Sequence, residues 1–140
     1  MTNLISKIED KTAKIGVIGL GYVGLPLAIE FSKQYKVVGF DIDKSRVKQL
    51  KDQDDKTGEI DISTLNKVMM SKDNFLSNHS GLFLSSNQKD IIDSNIYIIT
   101  VPTPIDSNNS PDLSHLLSAT EMVAGFLKRG DIVIYESTVY

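Results

Sequence analysis

The chain has 140 residues, 41% of them hydrophobic and 24% charged, which is typical of one soluble domain with its own core. Its formal net charge of −3 argues against nucleic acid or an anionic membrane as the main partner, and the absence of cysteine excludes disulfides, thiolate metal sites and a thiol nucleophile within these residues. No apolar run reaches the ~18 residues of a membrane span and the N-terminus lacks a signal-peptide core, so we expect a cytoplasmic protein.

Residues 1–13 are a polar lead-in, and we assign the domain proper to residues 14–140. Leu4, Ile5 and Ile8 recur in the lead-in at helical spacing. That spacing fits either a short helix packed on the edge of the domain or a frayed terminus, and the sequence leaves both open.

The first strongly patterned stretch runs from Lys14 to Asp41. It begins with an apolar, β-branched run at 15–18, which predicts a buried parallel strand. The sequence Gly19-Leu20-Gly21-Tyr22-Val23-Gly24 follows with G-x-G-x-x-G spacing and opens a helical pattern that ends near residue 35. A second strand at 37–40 ends on Asp41, about 20 residues after Gly19.

Each part of this stretch suits a bound dinucleotide. Gly19 permits the tight turn from strand to helix, Gly21 lets a pyrophosphate approach the backbone, and Gly24 lets the helix lie close to the sheet. The helix N-terminus presents unpaired N–H groups to the phosphates, and Asp41 can accept hydrogen bonds from the ribose hydroxyls. Because a strand precedes the loop and an acid ends the next strand, we interpret it as a dinucleotide fingerprint rather than an ordinary turn.

Arg46 lies close to Asp41 and can stack over adenine or reach a phosphate. A solvated ion pair with Asp43 is the alternative interpretation. An arginine here can also indicate a 2′-phosphate and therefore NADP, but the Asp41 carboxylate would repel that group. The sequence therefore predicts NAD as the cofactor.

Strands and helices continue to alternate after Asp41. Helical patterns cover 44–52, 62–70 and 112–128, with a helical turn or two at 88–93; strands are predicted at 82–85, 96–101 and 131–136, and irregular segments at 53–61, 71–80 and 102–111. This alternation predicts an α/β domain with a doubly wound parallel sheet, strand order 3-2-1-4-5. Ligands bind such sheets beyond the carboxyl ends of the strands.

Two further strand ends carry hydroxyl groups. Thr103 is held between Pro102 and Pro104 after the fourth strand, where it can face the nicotinamide half of a cofactor or simply belong to a stiff loop. Ser137 and Thr138 follow the fifth strand, where they can orient a nicotinamide or a water, or cap the strand. The spacing alone does not separate these alternatives.

The remaining polar residues are predicted to be structural or solvent-exposed. His79 and His115 stand alone, and neither has acidic or histidine neighbours spaced to complete a metal site, so no metal is expected. The acidic side chains of Glu9, Asp10, Asp54, Asp55 and Asp106 are interpreted as solvated charges of loops or the terminus.

Five blocks in order resemble the N-terminal NAD-binding domain of the UDP-glucose/GDP-mannose dehydrogenase family: KIGVIGLGYVGLPLA, VVGFDIDKSRV, IYIITVPTPID, PDLSHLLSA and GDIVIYESTVY. TVPTP and ESTVY are most similar to bacterial UDP-N-acetyl-hexosamine 6-dehydrogenases of polysaccharide biosynthesis. The resemblance implies a Rossmann fold and oxidation of a UDP-sugar C6 hydroxyl to the uronate in two NAD-dependent steps.

Residue roles also follow from the resemblance. The loop of Gly19, Gly21, Tyr22, Val23 and Gly24 would hold the pyrophosphate. Asp41 would hold the adenosine ribose and Arg46 would lie against the adenosine. Thr103 would lie near the nicotinamide, and Thr138 would touch the cofactor and help to place the hydrolytic water.

The family's nucleophilic cysteine, its sugar-nucleotide domain and a sixth strand have no counterpart in these residues. The resemblance therefore implies an N-terminal fragment that is inactive alone and belongs to a homo-oligomer when full length. A regulatory domain that senses NAD(H) without catalysis is the alternative, because the fold does not dictate the function. An FAD or S-adenosyl-methionine site fits the tight Gly19–Gly24 turn less well.

Overall fold

A computed structural model describes residues 3–137, which form a five-stranded parallel sheet flanked by helices. The strands are β1 (Lys14–Ile18), β2 (Lys36–Phe40), β3 (Gly81–Ser85), β4 (Ile96–Ile99) and β5 (Ile132–Tyr135). Their order is β3-β2-β1-β4-β5, which confirms the predicted doubly wound sheet. β1 is central, and its last residue, Ile18, is in register with Phe40 of β2 and Ile99 of β4.

The helices cover both faces of this sheet. They are α1 (Leu4–Glu9), α2 (Gly24–Ser32), α3 (Lys44–Lys51), α4 (Ile62–Val68), α5 (Lys72–Ser77) and α6 (Ser114–Ala124), with a 3-10 turn at Gln88–Asp90. The core of one face is formed by side chains of β1 to β4 with those of α2, α3 and α4. The core of the other face joins the sheet to α6 and Ile91, and Phe75 of α5 packs against it. Apolar runs without alternation therefore mark strands that are covered on both faces.

The lead-in contains a short helix, which decides between the two alternatives that the sequence left open. Asn3 caps α1 by accepting a hydrogen bond from the Ser6 N–H at 2.9 Å. The Tyr35 hydroxyl donates to the carbonyl of Ile8 at 3.0 Å, and Leu4 packs against the core. These contacts attach α1 to the edge of the domain.

Two predicted segments differ from the structure. Residues 71–80 were expected to be irregular, but α5 forms there because the Ser71 hydroxyl accepts from the Asn74 N–H and Phe75 lies 5.8 Å from Phe83, between ring centroids. The helix expected at 112–128 is shorter. It begins after Asp112, whose carboxylate accepts from the Ser114 N–H, and ends before Gly125.

Candidate functional site

The candidate site lies at the carboxyl end of β1, where the chain passes into α2. β1 pairs with β2 on one side and with β4 on the other. The connection that follows β1 packs on one face of the sheet through α2, and the one that follows β4 packs on the other face through α6. The carboxyl end of β1 is therefore the topological switch point, where ligands bind in sheets of this kind.

Gly19 and Gly24 have no room for a side chain. Gly19 has a φ of +101°, and a Cβ there would lie 3.0 Å from the Thr100 carbonyl. A Cβ on Gly24 would lie 1.7 Å from the carbonyl oxygen of Gly19. The loop therefore folds directly onto the first turn of α2 and against the end of β4, as the fingerprint predicts.

Gly21 has the opposite surroundings, because a Cβ there would meet no atom within 4 Å. The adjacent Tyr22 and Val23 are exposed. Val23 is the N-cap of α2, and no side chain accepts a hydrogen bond at this cap. The outer side of the loop is thus open backbone beside a helix N-terminus, an arrangement that favours anions.

Asp41 lies against this loop. Its Oδ2 accepts a hydrogen bond from the Leu20 N–H at 2.9 Å, and its Oδ1 accepts one from the Asp43 N–H at 2.9 Å. An ionised carboxylate offers about four acceptor positions, so these bonds orient the group and leave it able to accept more. The structure therefore brings together the acid and the loop that the sequence singled out.

Arg46 binds the same loop residue, Leu20, through its carbonyl group. Its Nε donates to the Leu20 carbonyl at 2.7 Å, and its Nη2 donates to Asp55 Oδ1 at 2.9 Å. The ion pair with Asp43 does not form, because the Asp43 carboxylate accepts from backbone N–H groups at the start of α3. Contact between Arg46 and an adenosine stays a prediction.

The interpretation of Asp55 as a solvated charge is wrong. Its side chain is only 2% exposed and that of Arg46 is 12% exposed. Burial raises the pKa of Asp55, but hydrogen bonds from Thr57 and Arg46 outweigh burial and hold the pKa below 3.8. Sequence reasoning missed this residue because its partner lies in another element.

Thr100 is a second residue that sequence reasoning missed. Its buried hydroxyl lies 2.7 Å from the carbonyl oxygen of Gly19 and 3.0 Å from that of Ile18, so it joins the end of β4 to the loop. A threonine that ends an apolar strand was the available signal, since a buried hydroxyl must find a partner.

The other strand-end residues are placed less fully. Thr103 is half-buried in the segment after β4. The Ser137 hydroxyl donates to the Val101 carbonyl at 2.8 Å, which fits the strand-end cap. Thr138 lies outside the described residues.

Across residues 3–137, no group of three or more His, Cys, Asp and Glu side chains is arranged to hold a metal ion. No helix in the same range is long and apolar enough to cross a membrane.

A doubly wound parallel sheet with a glycine loop at its switch point and an acid ending the next strand defines a dinucleotide-binding domain of the Rossmann type. The family model for the NAD binding domain of the UDP-glucose/GDP-mannose dehydrogenase family matches residues 13–140. The chain belongs to this family, and NAD is the cofactor of its domain.

Named relatives agree with this assignment. The UDP-N-acetyl-D-glucosamine 6-dehydrogenases of Pseudomonas aeruginosa and Salmonella typhi are 47% and 49% identical over 93% and 91% of this chain. The solved UDP-D-ManNAc dehydrogenase of Pyrococcus horikoshii superposes with a TM-score of 0.73 at 37% identity, over 90% of this chain and 28% of that one. The chain spans only 28% and 27% of the length of the two curated relatives.

Proposed function

We propose that residues 14–140 bind NAD across the Gly19–Gly24 loop and serve a nucleotide-sugar 6-dehydrogenase. The reaction is oxidation of a UDP-sugar C6 hydroxyl to the carboxylate in two NAD-dependent steps, in the cytoplasm, for polysaccharide synthesis. The identity to relatives named as UDP-N-acetyl-D-glucosamine 6-dehydrogenases supports this substrate class. Membership of a homo-oligomer is part of the same proposal.

The observation that carries the proposal is the contact between Asp41 and the loop. Because Asp41 Oδ2 bonds the Leu20 N–H, the carboxylate stands beside the backbone that would receive the diphosphate. The adenosine ribose is joined directly to that diphosphate. One dinucleotide can therefore reach the loop amides and the acid together.

The chain's own residues divide the work of binding. The loop amides and the α2 N-terminus neutralise the diphosphate, while Asp41 accepts hydrogen bonds from the ribose hydroxyls. The resemblance assigns Thr103 and Thr138 to the nicotinamide half of the cofactor, and the nicotinamide accepts a hydride from the substrate carbon when NAD is bound. A thiol for covalent capture of the aldehyde stage would have to come from residues outside these 140, which contain no cysteine.

The test compares NAD and NADP on Asp41→Asn by isothermal titration calorimetry. We expect NAD affinity to fall about 10- to 100-fold, since a hydrogen bond to a charged group is lost. NADP affinity should fall much less, because the substitution also removes the repulsion of its 2′-phosphate. Asp43→Asn is the matched control, since asparagine still caps α3 and the Asp43 carboxylate does not contact the loop. An equal loss for both dinucleotides would contradict the ribose assignment.

A further inference from the structure

We propose that Asp55 maintains the preference for NAD by holding the Arg46 guanidinium against the Leu20 carbonyl, away from the 2′ position of the adenosine ribose. Asp55 is then a positioning residue that acts through Arg46. The inference rests on the proposed function, because it assumes that the ribose is bound by Asp41.

The backbone of the buried residue Leu20 is bonded by two side chains of opposite charge, Asp41 and Arg46. The Leu20 N–H donates to Asp41, and the Leu20 carbonyl accepts from Arg46 Nε at 2.7 Å. Asp41 and the guanidinium are therefore anchored to the same residue of the loop. An arginine beside the ribose-binding acid is also the type of residue that accommodates a 2′-phosphate in this class of site. A domain that prefers NAD therefore needs a restraint that keeps Arg46 from binding a 2′-phosphate.

Asp55 supplies that restraint. Its Oδ1 accepts from Arg46 Nη2 at 2.9 Å and from the Thr57 N–H at 3.1 Å. The Thr57 hydroxyl lies 2.7 Å from Oδ1 and 2.8 Å from Oδ2. The carboxylate is thus fixed by its own turn, and its orientation does not depend on Arg46. A guanidinium bonded at both Nε and Nη2 has the edge formed by these two nitrogens committed to the protein.

Burial of the Arg46–Asp55 pair makes the loss of either partner costly. With 2% and 12% of the side chains exposed, neither charge is well solvated. Removal of one partner leaves the other charge buried and uncompensated. Without the Asp55 charge, Arg46 gains most by turning to another anion, and in the NADP complex the 2′-phosphate is such an anion.

The experiment measures dissociation constants for NAD and NADP with Asp55→Asn, and with Asp54→Asn as the matched control on the exposed neighbouring residue. Asp55→Asn should shift the ratio of affinities toward NADP by about 10-fold, as one charge-assisted hydrogen bond is gained. Asp54→Asn should leave the ratio unchanged. An unchanged ratio in Asp55→Asn, or equal losses for both cofactors with a lower melting temperature, would overturn the proposal.

Two more variants separate positioning from general destabilisation. Thr57→Val loosens Asp55 without removing its charge, so it should shift the ratio in the same direction by less. The double variant Arg46→Gln/Asp55→Asn should lose the gain for NADP, because the gain requires the guanidinium. A gain that persists without Arg46 would contradict the mechanism.

Measurement of NAD binding by the wild-type chain distinguishes failure of the proposed function from failure of the role of Asp55. If the chain binds no NAD, the proposed function fails and the role of Asp55 fails with it. If it binds NAD and only the Asp55 series behaves otherwise than expected, the role of Asp55 alone is wrong.

Discussion

Gly21 and Gly24 belong to one loop but meet opposite constraints. A Cβ on Gly24 would overlap the Gly19 carbonyl oxygen at 1.7 Å, whereas a Cβ on Gly21 would meet nothing within 4 Å. The packing of the protein therefore requires Gly24, whereas the open space beside Gly21 is where we propose that the diphosphate binds. Substitutions at these two positions separate binding from folding.

Gly24→Ala should lower the free energy of unfolding by about 3 kcal/mol or more, since backbone atoms cannot move aside as a side chain can. Gly21→Val should change that free energy by less than about 1 kcal/mol and still reduce NAD affinity at least about 100-fold, because the side chain fills the space of the diphosphate. Urea unfolding and calorimetric titration measure the two effects. Retained NAD affinity in Gly21→Val would rule out a diphosphate at this turn.

The site residues that could be predicted from the sequence are those whose spacing is set by one βαβ unit. Gly19, Gly24 and Asp41 occupy the expected places because a strand, a turn and a helix fix their separation. Asp55 and Thr100 could not be found in this way. Their partners are brought to them by the path of a loop and by the pairing of β4 with β1. A threonine at the end of an apolar strand indicates that the Thr100 hydroxyl has a partner, but not which one.

At the scale of elements, α2 differs from its neighbours at the N-terminus. Asp43 and Asp61 cap α3 and α4 by accepting hydrogen bonds from backbone N–H groups. α2 has Val23 in this position and no side-chain cap. Without a side-chain cap, the free N–H groups and the positive dipole end at the helix N-terminus can bind an anion from outside the chain.

Val23→Asp should therefore oppose NAD binding, because it places a negative charge where the diphosphate is expected. We expect at least about a 10-fold loss of affinity relative to Val23→Asn, which has the same shape without the charge. The gap between the two variants should narrow as salt is raised, since Val23 is exposed and the repulsion is screened. Equal affinities for the two variants at low salt would mean that no anion binds at this helix end.

Element prediction succeeded where apolarity and burial coincide. All five strands lie within a residue or two of their predicted bounds, because they are covered on both faces or paired with strands that are. The sequence pattern predicts a longer α6 than the structure has, because Leu113 and Leu127 continue the apolar period outside the helix. Leu117, within α6, is 59% exposed, so apolar periodicity does not measure burial.

At the scale of the whole molecule, the sheet is unevenly covered. β5 is an edge strand that pairs only with β4 among the described residues. Ile132 and Ile134 are 44% and 37% exposed, whereas Ile98 on β4 is buried. An apolar edge strand of this kind favours pairing with another chain.

The 140-residue chain should accordingly self-associate as its concentration rises, and Ile134→Lys should weaken this association by about 10-fold or more. Ile5→Lys is the control, because it adds the same charge at an exposed position of α1, which is not part of the sheet. Sedimentation velocity across a concentration series measures both. Equal effects of the two substitutions would mean that net charge, and not the edge strand, controls association.

The hydroxyl of Thr100 has a consequence for kinetics. It lies within hydrogen-bond distance of the carbonyl oxygens of Ile18 and Gly19. It therefore fixes the distance between the carboxyl ends of β1 and β4. The backbone of such a binding site has little to rearrange when the dinucleotide binds. The association rate constant should therefore be high, and differences in affinity should come mainly from the dissociation rate constant.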